Sequence, residues 1–377
     1  MAPVGVAILG AGIFAKEAHL PALSKLPSSL YSLKAVYSRS QESASSLASS
    51  AKDLLSLSSV GVYYDTPQSS DSSLAALLSR SDISAVIVVL PITTQPGIIR
   101  QALKAGKHVL SEKPIAPDVK TAKELIVEYE REYKPKNLVW RVAENFEAEP
   151  AFQKAGALVK EGKIGKVIAY QSKIINYIDK DSKWYKTPWR TIPDYQGGFL
   201  LDGGVHFSAA LRTMLPESSH PTLLSSFASL HKSWLPPHDT IHVILRSPDK
   251  SSGIYELTFA SPSPSLGSGN GYTITGSAGY LLATNVKGGI QITVKTVKTV
   301  KGDDGKEKDE ESEEVFVEES VGVKNEVESF LKTISGQGGP QDAGLGEPRQ
   351  TIKDVALIEA ALNSEGSLID LGALASV

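Results

Sequence analysis

Apolar, β-branched runs alternate with helix-compatible stretches through the first 145 or so residues. Residues 4–9 (VGVAIL), 33–37 (LKAVY), 62–64, 82–90 (DISAVIVVL), 108–111 and 138–143 read as strands. Their near-continuous apolar content, without polar alternation, marks strands buried on both faces. Between them lie predicted helices over 15–26, 42–55, 74–78, 96–105 and 118–133, with Gly106 closing the fourth as a residue just past a helix end. This alternation predicts a doubly wound, mainly parallel α/β sheet. Near Ala151 the pattern changes. One helix, 152–161, is followed by strands at 167–177, 223–231, 240–245, 253–259, 272–275, 280–283, 290–297 and 313–317 with hardly any helix among them, which predicts an α+β domain with a large, open, mainly antiparallel sheet. Residues 324–334 and 348–362 read as closing helices. The domain boundaries expected are 1–146, 147–345, and a tail of 346–377 packing back toward the first domain. Residues 261–271 (SPSPSLGSGNG) form a loop, either a solvent connection or a flap. Residues 301–314 (KGDDGKEKDEESEE) form a solvated charged hairpin.

Composition narrows the function classes. The 377 residues are 41% hydrophobic and 21% charged, enough for ample core and two domains. A net charge of −3 with no basic cluster argues against nucleic-acid binding. The chain has no cysteine, which excludes disulfides, thiolate metal sites and a cysteine nucleophile, and suits a reducing compartment. The start, MAPVGVAILG, enters a strand with no basic leader, and the longest apolar run is cut by Pro91, so the expectation is a cytoplasmic protein without a membrane span.

Chemistry gathers at strand ends. Gly10-Ala11-Gly12-Ile13-Phe14-Ala15 is a G-x-G-x-x-A motif between strand and helix. Gly10 permits the tight turn, Gly12 lets the backbone approach a pyrophosphate, and Ala15 lets helix and strand pack closely, so a Rossmann dinucleotide site is expected. After the second strand, where an NAD enzyme carries an acid for the ribose hydroxyl, stand Ser38, Arg39 and Ser40. A hydroxyl and a guanidinium suit a 2′-phosphate that a carboxylate would repel, so NADP is expected over NAD. The loop from Pro91 to Gln95 and the Glu112-Lys113-Pro114 turn both lie at the carboxyl ends of strands, the ligand edge of a parallel sheet. In WRTIPDYQGGFLLDGGVHF, residues 189–207, Asp202 and His206 share one face if a helix starts there. An imidazole exchanges protons near neutrality and a nearby acid would orient it. An Asp helix cap beside a buried histidine fits the same spacing. His238 and His242 are four apart, but with no third ligand nearby they do not make a metal site.

Four ordered motifs, GAGIFA at 10–15, SEKPIA at 111–116, Trp189-Arg190 and GGFLLDGGVH at 197–206, resemble the family of glucose–fructose oxidoreductase, inositol dehydrogenase and rhizopine-catabolism proteins (Gfo/Idh/MocA). The resemblance spans nearly the whole chain. It implies a Rossmann domain followed by a substrate-binding domain whose open sheet supports a homodimer or higher homo-oligomer. It implies that Lys113 reaches nicotinamide and substrate, that His206 handles the substrate hydroxyl proton across from it with Asp202 in support, that the Lys113–Pro114 peptide is cis, and that Arg190 contacts cofactor or substrate. Candidate catalytic residues are therefore Lys113, Asp202 and His206. Candidate cofactor contacts are Gly10, Gly12, Ile13, Phe14, Ser38, Arg39, Leu90, Pro91, Glu112, Lys113 and Arg190. Candidate substrate contacts are Lys113, Asn145, Trp189, Asp202 and His206, with Lys183, Trp184, Tyr185 and Tyr195 as sources of specificity. The expected activity is NADP-dependent hydride transfer between nicotinamide and the hydroxyl or carbonyl carbon of a sugar, cyclitol, polyol or related small molecule. A non-catalytic NADP-binding regulator, and a hydrolase or epimerase using transient oxidation, are the alternatives.

Overall fold

A computed structural model describes residues 2–66, 71–266, 269–301 and 306–377. It divides into two compact units, Met1–Asn145 with Gly322–Ile352 and Val377, and Phe146–Val321 with Lys353–Ser376.

The first unit is built on a six-stranded parallel sheet: β1 (Val4–Leu9), β2 (Tyr31–Ser38), β3 (Gly61–Tyr64), β4 (Ala85–Val88), β5 (His108–Glu112) and β6 (Trp140–Ala143), in the order β3-β2-β1-β4-β5-β6. Val6 to Leu9 and Ala85 to Val88 are fully buried, as unbroken apolar strands covered on both faces must be. The order reverses between β1 and β4, and ligands of such sheets bind at that crevice. Leu20, Leu23, Leu47 and Ala51 share one core with Val327, Phe330 and Leu331 of the helix Gly322–Ile334. Those three apolar side chains are why residues 322–352 group with this unit, whereas the sequence pattern placed a boundary at 345.

Two predicted helices carry π turns. Ala15–His19 is π-helical and continues as Leu20–Ser24; Val119–Glu128 continues into a π turn at Tyr129–Tyr133. In each, the residue after the turn, Leu20 or Lys134, donates its amide five residues back, to the carbonyl of Ala15 or Tyr129. Each is followed at once by a proline, Pro21 or Pro135, which has no amide hydrogen to hold the ordinary α-helical ladder.

The second unit holds a nine-stranded sheet of β7 (Val167–Ile175), β8 (Leu223–Ser229), β9 (Thr240–Arg246), β10 (Ser252–Thr258), β11 (Gly271–Gly276), β12 (Gly279–Val286), β13 (Gly289–Lys301), β14 (Glu307–Glu318) and β15 (Ile369–Asp370), ordered β14-β13-β12-β11-β7-β10-β9-β8-β15. Only β7 and β10 pair in parallel; the other neighbours are antiparallel. Burial alternates along β9 and β10, so one face is core while Ile244 and Ile254, cross-strand partners, lie exposed with Phe227 on the other. The charged segment is longer strand than the sequence pattern predicted. β13 and β14 pair out to Lys301 and Glu307, while the intervening 302–305 lie outside the described residues, as do 267–268 of the loop 261–271. Lys295 meets Glu313 at 2.9 Å across this ladder, and the acidic run along the edge strand disfavours pairing with another chain.

Candidate active site

In the first unit, the glycine motif leaves β1 as expected. Gly10 has φ +119°, and a Cβ there would lie 2.0 Å from the carbonyl oxygen of Val89, so only glycine lets this turn press against the exit of β4. Around Gly12 a Cβ would meet nothing within 4 Å. The first glycine is thus required by the protein's own packing, and the second leaves open space over the backbone, a cradle that fits a pyrophosphate. Ile13 and Phe14 are half-buried beside it. At the end of β2, Ser38 is half-buried and Arg39 exposed, while the Ser40 hydroxyl caps the helix Gln41–Leu55 by accepting from the Ser43 amide. The Tyr37 hydroxyl donates to Asp65 at 2.5 Å, so a carboxylate at this edge is held by a phenol. Burial and the same carboxylate raise the Tyr37 pKa.

β5 ends at Glu112, and the following Lys113–Pro114 peptide is cis. The Lys113 side chain is half-buried. The carboxylate of Glu112 is buried and accepts from His19 Nε2 at 2.6 Å; the His19 ring is fully buried and meets Phe14 edge-on, with centroids 5.3 Å apart. Glu112, expected as a cofactor contact, is thus paired with a histidine far away in sequence, which no local pattern predicts. His19 sits at the end of the π turn that follows the glycine motif, so that turn joins the glycine loop to the root of Lys113. Leu90 and Pro91 lie at the exit of β4, where the Pro91 carbonyl accepts from the amides of Thr94 and Gln95. Asn145 closes this unit, half-buried, just after β6.

In the second unit, Asp202 and His206 lie one turn apart on the helix Phe199–Met214. The helix begins at Gly198 with no side-chain cap, so Asp202 is inside the helix and does not cap it. Its buried carboxylate accepts from Arg190 Nε at 2.7 Å. The Arg190 guanidinium lies 4.1 Å above the Trp189 ring and 6.0 Å from that of Trp184, an arrangement that suits a planar cation. Tyr195 packs against Trp189, and burial, with Asp202 nearby, raises its pKa. His206 is half-buried and stacks on Phe146, with centroids 4.7 Å apart at 23°. Helical spacing predicts Asp202 in support of His206, but its carboxylate pairs with Arg190 and the His206 ring stacks on Phe146, contacts that the spacing does not predict. Of the specificity candidates, Tyr185 is buried and donates to the Trp234 carbonyl at 2.7 Å, while Lys183 lies over the exposed Trp184 ring. His238 precedes β9, and His242 lies 3.9 Å from Glu256. Among the described residues no group of three or more His, Cys, Asp or Glu side chains could hold a metal, and no helix is long and apolar enough to cross a membrane.

Comparison with known proteins agrees with these two architectures. Residues 4–137 match the model of an oxidoreductase family with an NAD-binding Rossmann fold, and residues 157–367 match that family's C-terminal alpha/beta domain. The chain is 38% identical over 362 residues to dehydrogenase FPY6 of Fusarium mangiferae, covering 96% of each protein. Among solved structures it is similar to an oxidoreductase from Thermotoga maritima, with TM-score 0.78, 30% identity and 99% of each chain covered. The 3-ketoreductase KijD10 of Actinomadura kijaniata, solved with NADP and TDP-benzene, shares the fold at TM-score 0.69 and 21% identity over 95% of this chain and 96% of that one. With a glycine cradle at the sheet's switch point and both family domains matched in order, the chain belongs to the Gfo/Idh/MocA family of oxidoreductases.

Proposed function

We propose that this oxidoreductase uses NADP(H) to interconvert a hydroxyl and a carbonyl on a sugar, cyclitol, polyol or related small molecule. The observation that carries the reading is the pairing of an open Gly12 cradle with an end of β2 whose own residues, Ser38, Arg39 and Ser40, include no acid, the Asp65 carboxylate at that edge being engaged by the Tyr37 hydroxyl. Gly10, Gly12, Ile13 and Phe14 would hold the pyrophosphate, Ser38 and Arg39 the 2′-phosphate, and Leu90, Pro91 and Glu112 the edges of the site. The cofactor, when bound, supplies or accepts the hydride. The residues manage charge and one proton. In the reducing direction the Lys113 ammonium would stabilise negative charge on the carbonyl oxygen, and His206 would give that oxygen its proton. Asp202 and Arg190 would keep the helix Phe199–Met214 and its aromatic surroundings in register for that transfer. Asn145 and Trp189 would contact the substrate, and Lys183, Trp184, Tyr185 and Tyr195 would select it.

The cofactor preference follows from charge. A guanidinium on a phosphate contributes about 1.5–3 kcal/mol, roughly 10–100-fold in affinity. Titration by nicotinamide fluorescence is expected to show NADPH bound more tightly than NADH, with Arg39→Asp abolishing the difference; equal affinities in the native protein would refute the assignment. Activity is tested by screening sugars, cyclitols, polyols and aldehydes at the nicotinamide absorbance band. Lys113→Ala and His206→Ala are each expected to lower turnover on the order of 100-fold, and unchanged turnover in both would remove them from the chemistry. The absence of cysteine suits a cytoplasmic setting. The exposed Phe227, Ile244 and Ile254 on the open sheet face suit a homodimer or higher homo-oligomer; light scattering that returns the mass of a single chain would refute it.

A further inference from the structure

Three connections of the second unit leave its nine-stranded sheet from one end. Ile175, Thr258, Thr240 and Ser229 are neighbours across β7, β10, β9 and β8, so the segments 176–198 and 230–239 and the one beginning at 259 all run from that row. The first leads into the helix that carries Asp202 and His206. Three of the chain's four tryptophans, Trp184, Trp189 and Trp234, stand in these connections. Trp189 belongs with Arg190 and Asp202. The other two belong to a further group, joined through Tyr185, whose hydroxyl donates to the Trp234 carbonyl and whose ring meets that of Trp234 edge-on at 4.9 Å. The Lys232 ammonium lies 5.3 Å from the Trp234 ring centroid and 4.8 Å from that of Tyr177, and donates to the Ser261 carbonyl at 2.7 Å.

The group is held in place by a buried anchor. Asp239 is fully buried, and its carboxylate accepts from the amides of His231 and Lys232 and from the Thr240 hydroxyl, which fixes the turn that carries Lys232 and Trp234. A core would bury the rings and leave the ammonium in water. Here Trp184 and Tyr177 are 36% and 38% exposed, while burial pulls the Lys232 pKa down. Aromatic faces with a cationic donor among them suit a ligand with an apolar face and a polar rim. A pyranose ring is such a ligand: its axial C–H bonds pack on the negative face of an aromatic ring, and hydroxyls line its edge. An ammonium has three donors, of which the Ser261 carbonyl takes one. A protein partner asks for a continuous apolar patch, which the lysine interrupts.

We propose that Tyr177, Trp184, Lys232 and Trp234 form a subsite for a second sugar ring, which makes glycosides the substrate class in preference to free monosaccharides. This rests on the hydroxyl–carbonyl reading above. In a glycoside the anomeric carbon is bonded to the second unit, so oxidation takes place at another ring carbinol. The carbinol carbon gives its hydride to the nicotinamide and its hydroxyl proton to His206, and the glycosidic bond stays intact.

The test measures kcat/KM with NADP for the methyl glycosides of glucose, galactose, mannose and xylose, and for the methyl glycosides of disaccharides in which the same sugar is joined, α or β, to a glucose. For at least one sugar the second ring is expected to raise kcat/KM about tenfold or more, through KM, since burying one face of a ring is worth roughly that. Tyr177→Ala and Lys232→Met are each expected to cut that gain by about threefold or more, while Tyr177→Phe, which keeps the ring, retains it. If Tyr177→Ala does not fold, Lys232→Met, which keeps the stem over both rings, decides. No gain from the second ring with any sugar overturns the proposal, and so does a gain that survives the substitutions. Light scattering that finds a lower mass for Tyr177→Ala than for the native protein shows a second copy seated on the rings and overturns it too. Turnover of free sugars or polyols without that gain leaves the hydroxyl–carbonyl reading standing, whereas no turnover across the whole screen refutes that reading itself.

Discussion

Replacing His19 by Leu removes the hydrogen-bond partner of a buried carboxyl group and leaves the Glu112 oxygen without it. His19 is fully buried, the Glu112 side chain is 9% exposed, and the two meet at 2.6 Å. Leucine fills much of the imidazole's volume, so the cost is that of the lost hydrogen bond and leaves little cavity to account for. Leaving a buried carboxyl group without its hydrogen-bond partner costs about 1–3 kcal/mol, at the upper end for so polar a group, because it has lost water and gained nothing. For a domain of 150–250 residues each kcal/mol moves the melting temperature by about 2–4 °C, so a loss of roughly 3 kcal/mol lowers it by about 6–12 °C. The assay is urea unfolding of cofactor-free protein followed by circular dichroism, so that bound nucleotide does not mask the change. The double substitution His19→Leu with Glu112→Leu removes both polar groups and is expected to recover most of the loss, since apolar replacement of a whole buried pair is often neutral. A single variant within 1 kcal/mol of the native protein would refute the reasoning, and so would a double variant as damaged as the single one.

The two motif glycines are expected to separate in the same assays. Gly10→Ala forces a Cβ to 2.0 Å from the Val89 oxygen at a positive φ and lowers stability, whereas Gly12→Ala, whose Cβ meets no neighbour within 4 Å, melts near the native temperature while NADPH affinity falls at least tenfold. Burial, helped by Lys353 and Arg212, holds His220 down to about 4, with its Nε2–H donating to the carbonyls of Arg212 and Leu215. The unfolded chain binds a proton that the native ring refuses, so this stability is fully present above pH 6.5 and is lost as pH falls toward 4, to the extent of roughly 3 kcal/mol. Urea midpoints measured across that window are expected to fall with pH in the native protein and to flatten in His220→Gln. Arg190→Met strands the buried Asp202 carboxylate and is expected to cost about 3 kcal/mol, while Arg190→Asn/Asp202→Asn, which removes both charges, costs less; thermal melts that rank the two variants the other way would refute the pairing's importance.

Much of the framework was legible along the chain because it is encoded locally. Unbroken apolar runs announced β1 and β4, the G-x-G-x-x-A spacing announced a turn that needs Gly10, and the change of pattern near Ala151 announced a second kind of sheet. The helical register that joins Asp202 to His206 was legible too, since four residues make one turn. What remained hidden depends on segments distant in sequence. His19 and Glu112 are 93 residues apart, and nothing in either segment's periodicity tells that they meet. Arg190 reaches Asp202 across an irregular loop, whose path no repeat predicts. The amphipathic stretch that becomes the helix Gly322–Ile334 shows one apolar face, but an apolar face does not specify which core it joins, because hydrophobic burial is non-directional. Even the proline at position 21 was plain in the sequence while the π turn before it was not: a missing amide hydrogen loosens the helix, and packing decides how the extra residue is used. Local composition determined which elements form and where their chemistry would emerge. Only the tertiary structure decided which buried polar groups satisfy one another, because each such bond couples two places on the chain that carry no record of each other.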